Sequence, residues 1–70
     1  MMKIKGKVYR DPNFIRVFDK GANIMYEFAV NGTWSFVKVG STMPNGFVLS
    51  QDVFDSWYEE LGGEETFDLR

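Results

Sequence analysis

Residues 24–39 constrain the fold of this chain more than any other stretch: IMYEFAV, then Asn31-Gly32, then TWSFVKV. Two β-rich runs joined by Asn-Gly signal a hairpin, because both central residues of a type I′ turn need positive φ and Asn and Gly adopt it at least cost. A two-residue turn predicts Val30 opposite Thr33, Phe28 opposite Ser35, Tyr26 opposite Val37 and Ile24 opposite Val39. Side chains alternate along a strand, so one face becomes Ile24, Tyr26, Phe28, Val30, Val37 and Val39, an apolar wall for a core. The other face holds Met25, Glu27, Ala29, Trp34, Phe36 and Lys38. Trp34 and Phe36 then need a cover or a use.

The flanking segments extend this hairpin into a meander. Residues 3–10 alternate, with Ile4 and Val8 on one face and Lys3, Lys5, Lys7 and Tyr9 on the other, and Gly6 marks a weak point or a bulge. Arg10-Asp11-Pro12-Asn13 reads as a turn. Residues 14–19 form a second strand, apolar on both faces, which turns through Asp19-Lys20-Gly21 into 22–30. A Gly21 bulge would pair Phe18 with Ala22 and place Phe14, Arg16 and Phe18 on the core wall; a two-residue Lys20-Gly21 loop would place Ile15 and Val17 there instead. Asp-x-Gly favours the bulge. After strand 33–39 comes a loop containing the Asn45-Gly46 turn, and 47–49 adds a short strand or runs extended into a helix.

Ser50 as N-cap and Asp52 in the first turn open a helix over 51–61, stopped by Gly62-Gly63. Val53, Phe54, Trp57, Tyr58 and Leu61 share one arc of it, and Asp52, Asp55 and Glu59 line the far side. The tail 62–70 is acidic, offers Phe67 and Leu69 as anchors, and is expected to fray. The expected architecture is α+β: a curled antiparallel meander of four to five strands with one C-terminal helix packed on one face.

Seventy residues make one domain, which buries only about 60% of its unfolded surface. Chains of this size are usually stapled, yet there is no Cys or His here for a disulfide or a zinc site. Seven Phe, three Tyr and two Trp must supply the cohesion. The start MMKIKGKVYR lacks the apolar run of a signal peptide, and no stretch approaches a membrane span. A cytoplasmic location is the expectation. Charge is unevenly spread: residues 1–40 carry seven basic and three acidic side chains, and 41–70 carry one basic and seven acidic.

Without His or Cys the usual general base and thiol nucleophile are missing, and no G-x-S-x-G, S-x-x-K or phosphate-cradling glycine loop occurs. The chain therefore reads as non-enzymatic, with no cofactor or metal. Three surfaces invite a partner. Asp52, Asp55, Glu59 and Glu60 form a stripe suited to a basic partner, or simply a solvated face. Lys3, Lys5, Lys7 and Tyr9 join Trp34, Phe36, Lys38 and Met25 in an aromatic and basic face, which suits single-stranded nucleic acid; Lys on an edge strand is also ordinary protection against edge-to-edge pairing. The surplus apolar face itself calls for a second copy, a partner protein, or a sheet curled enough to cover its own second side.

In its character (tiny, Cys-free, aromatic, charge-split) the chain resembles the small inhibitors that phages and mobile elements encode, anti-CRISPR proteins among them. The likeness is compositional and assigns no role to any residue. It implies a protein-binding module that occupies a partner's surface. The expected partner is a protein, a homodimer being one form of it, ahead of nucleic acid, and not a membrane.

Overall fold

The computed structural model describes residues 2–29 and 31–69, without the side chains of Met2 and Leu69. The expected places of Val30 on the core wall and of Leu69 as an anchor fall outside that description. The elements are β1 (Met2–Arg10), β2 (Phe14–Asp19), β3 (Ile24–Ala29), β4 (Trp34–Lys38), α1 (Gln51–Glu59) and β5 (Glu65–Leu69). The strands form one antiparallel sheet in the order β4-β3-β2-β1-β5. The class is α+β, a small meander with a single helix, as the sequence predicts.

Both hairpin registers differ from expectation, and in each case the turn takes up more chain. At the β3–β4 turn Gly32 donates its N–H to the Ala29 carbonyl at 3.0 Å and Ala29 donates to the Thr33 carbonyl at 2.9 Å. Gly32 sits at φ +91°, and the Asn31 side chain accepts from the Thr33 N–H. This loop is one residue longer than a type I′ turn and ends on a left-handed glycine, the bulged alternative to that turn. Phe28 therefore pairs with Trp34, Tyr26 with Phe36 and Met25 with Val37. Between β2 and β3 the left-handed residue is Asn23 at φ 55° and not Gly21, and the Asp19 carboxylate accepts from the Ala22 N–H. Phe18 pairs with Met25, which neither expected register gives.

A slip by an odd number of residues, one between β3 and β4 and three between β2 and β3 relative to the bulged register, moves every side chain to the other face. Here it places Phe18, Met25 and Val37 together beneath the helix, where Phe54, Tyr58, Met43 and Leu49 complete a buried core. Met25, expected on a partner face, is 1% exposed. Its former neighbours Trp34 and Phe36 join Ile15, Val17, Tyr26 and Phe28 on the opposite side.

That second side has its own core of Ile4 and Val17, packed by Val8, Ile15, Tyr26, Phe28 and Phe67. It exists because the tail, expected to fray, is β5. Residues 2–6 of β1 pair with β5, and residues 7–10 pair with β2. The division falls at Gly6, where a Cβ would lie 2.2 Å from the Phe18 carbonyl oxygen. Only a residue without a side chain lets the backbones approach so closely at this corner. The Phe28 and Phe67 rings lie 4.9 Å apart, yet three strand spacings would separate β3 from β5 by roughly 14 Å in a flat sheet. The sheet is therefore strongly curled toward the β5 side. Arg10 ties β1 to its neighbour β5 with two bonds to Glu65, at 2.9 and 3.2 Å.

The helix docks as expected through Phe54 and Tyr58, with Ser50 Oγ accepting from the Val53 N–H at 3.2 Å, and it ends at Glu59, two residues early. Residues 47–49 make no strand; a single bridge joins Thr42 to Val48. The loop instead lowers Met43 and Leu49 into the helix-side core.

Candidate functional site

The curled sheet ends at β4, and its open edge carries the most exposed aromatic surface of the fold. Trp34 is 45% and Phe36 54% exposed. They stand 6.3 Å apart, each 6.2 Å from the Tyr26 ring, and Trp34 stacks on Phe28 at 6.1 Å. With Phe28 reaching Phe67, these rings form a continuous aromatic path from the second core to the edge.

Main-chain geometry reinforces the side chains. The bonds from Ala29 to Thr33 and from Val39 to the Asn23 carbonyl bracket the ladder. Hydrogen-bonded and non-bonded pairs alternate in an antiparallel sheet, so Ser35 and Val37 spend their N–H and C=O groups on β3. Trp34, Phe36 and Lys38 point theirs outward. Among the described residues nothing bonds those of Trp34 and Phe36; the Lys38 carbonyl accepts from the Ser41 N–H at 3.0 Å. The residues with exposed rings are thus the ones whose backbone groups point outward from the sheet.

The aromatic and basic face expected from sequence is not one surface. Lys38 stands beside Trp34 and Phe36 on the exposed edge, whereas Met25 is core. Lys7 lies on the helix side, donating to the Tyr58 carbonyl at 3.2 Å with its ammonium 4.2 Å above the Tyr58 ring. Lys3 and Lys5 are exposed on that same side of β1. Tyr9 packs on Phe14 at 6.0 Å, at the rim of a cleft of about 410 Å³ beside Trp57 and Glu60. The cation in that cleft is already engaged: Arg16 lies 4.7 Å over the Phe14 ring and pairs with Glu27 at 3.3 Å.

The acidic stripe is partly consumed within the fold. Asp55 accepts from Lys20 at 3.1 Å and from Gln51 at 3.0 Å, bonds that hold its carboxyl below the usual range. Asp52, Glu59 and Glu60 are exposed. Glu64 accepts from the Tyr58 hydroxyl at 2.7 Å, and this bond, with burial, pushes the phenol up to about 12. Sequence reasoning found Trp34 and Phe36 but missed Tyr26 and Phe28 as their neighbours, because the register decides which rings meet.

No family model matches the chain, and no curated protein or solved structure matches it. No helix among the described residues is long and apolar enough to cross a membrane.

Proposed function

We propose that this chain is a small non-enzymatic protein-binding module that acts, inhibitor-like, by occupying a partner's surface, and that it binds through β4. One observation carries the reading: Trp34 and Phe36 present exposed rings and outward main-chain groups on the same open edge. An exposed apolar edge is a template for another strand. Added strands gain affinity from main-chain bonds and specificity from side-chain contacts. A clustered aromatic patch supplies the anchors in which binding energy concentrates.

Single-stranded nucleic acid needs stacking rings and phosphate-binding cations on one surface. Of the lysines considered, only Lys38 stands with the rings.

The test is selection of binding peptides from a random library, with the bound site mapped by amide chemical shifts. Extended apolar peptides perturbing residues 34–38, with binding lost in Trp34→Ala, are the expected result. Peptides mapping to the acidic helix face, or salt-sensitive binding of generic oligonucleotides in their place, would overturn the reading.

A further inference from the structure

The β4 edge is complementary to itself, and we infer that its occupant is a second copy of this chain, paired antiparallel about a two-fold axis at Ser35. This rests on the reading of β4 as a strand-accepting edge. The outward groups choose the register. Pairing about Ser35 sets Trp34 opposite Phe36 of the other copy. Each N–H then meets a carbonyl with no bond of its own. A register centred on Phe36 would instead aim the Trp34 N–H at the Lys38 carbonyl, which Ser41 already occupies.

Side chains agree with this register. Trp34 against Phe36 makes two aromatic cross-strand pairs, the favourable kind. Residues 33–37 (TWSFV) contain no charge, so nothing repels a second copy at the axis. Neither proline nor a bulge within β4 blocks the approach. The opposite edge, β5, carries Glu65 and Asp68, like charges that would confront a second copy there.

The pairing is weak. Four rings, each about half exposed, offer on the order of 400 Å², well below the ~1,200 Å² of a stable interface. The dimer is therefore a reversible cap over the aromatic edge, populated at high concentration and displaceable by a better strand.

Sedimentation equilibrium on the full chain up to about 1 mM tests association, and engineered thiols test the register, because the chain has no Cys of its own. Wild type should show a monomer–dimer equilibrium. Trp34→Ala should remove it, since losing a central aromatic anchor weakens association by about 30-fold or more. Across the axis Ser35 faces itself as a non-bonded pair with Cα atoms about 4.5 Å apart, inside the disulfide range of about 4.4–6.8 Å. The two copies of Lys38 would be roughly 20 Å apart. In a glutathione redox buffer Ser35→Cys should cross-link and Lys38→Cys should not. Equal cross-linking of the two, or a wild type monomeric throughout, would overturn the inference. A monomer that still binds selected peptides at β4 would sink the dimer and leave the proposed function standing. A dimer that binds no peptide would do the reverse.

Discussion

Gly6 and Tyr58 show how single residues hold this small fold. At Gly6 the requirement is space, not an unusual backbone angle: a methyl group would sit 2.2 Å from the Phe18 carbonyl oxygen. Backbone cannot yield there as a flexible side chain would, so Gly6→Ala must prise β1 from β2. We expect a loss of at least about 1–3 kcal/mol, the usual cost of overpacking, read as a lower urea midpoint. An unchanged midpoint would mean that the corner is looser than described. At Tyr58 the hydroxyl donates to Glu64, and the folded pKa of about 12 exceeds the ordinary value of about 10. A raised pKa stabilises the fold while the phenol stays protonated. That contribution is present below the unfolded pKa and is lost as pH climbs toward the folded one. Tyrosinate absorbance should contain a component near pH 12 that is absent in Tyr58→Phe and moves downward in Glu64→Gln. A component unmoved by the Glu64 substitution would assign the shift to burial alone.

At the scale of elements the helix is the simplest to judge. Phe54 is 0% exposed and Tyr58 buried, whereas Trp57 is half-buried, edge-on to Phe18 at 6.4 Å and stacked on Phe47 at 6.2 Å. Phe54→Ala should cost about 3–5 kcal/mol, much of the stability of a chain this short. Trp57→Ala should cost clearly less in the same urea titration. Equal losses would mean that the helix leans on Trp57 as much as on Phe54. This helix was legible because its signals are local: the Ser50 cap, the 3.6-residue periodicity and the acidic first turn all act within a few residues. The strands of the meander were legible for the same reason. Their registers were not, since Asn31-Gly32 is compatible with both a two-residue turn and a longer bulged one. That single residue decides whether Val37 shares a face with Met25 or with Tyr26. β5 was the hardest element to read. Its sequence, ETFDL, is short and acidic, and its pairing partner is residues 2–6 of β1, at the other end of the chain. A long-range partner leaves no local trace.

Taken whole, the molecule divides its aromatic residues between cohesion and exposure. The sequence raised two outcomes for the surplus apolar face, self-coverage by curling or burial by a partner, and the fold shows the first in part. Curling buries Ile4 and Val17 and brings Phe28 against Phe67, but it stops short of Trp34 and Phe36. The open edge follows from topology: in the order β4-β3-β2-β1-β5, β4 is terminal, and among the described residues no element but β3 pairs with it. Sequence reasoning singled out two rings that the fold leaves exposed, Trp34 and Phe36, and attached them to the wrong neighbours, because Lys3, Lys5, Lys7 and Met25 belong to the opposite side of the sheet.

The most direct measurement is residue-resolved amide hydrogen exchange along β4, in dilute and in concentrated protein. In dilute solution Ser35 and Val37 should be protected by β3, while Trp34 and Phe36 exchange quickly. Raising the concentration should slow Trp34 and Phe36 alone, as their N–H groups find a second strand. Protection of Trp34 and Phe36 in dilute protein, with Ser35 and Val37 exchanging quickly, would mean that the register is shifted by one and the edge presents other residues. That result would contradict the account at its root.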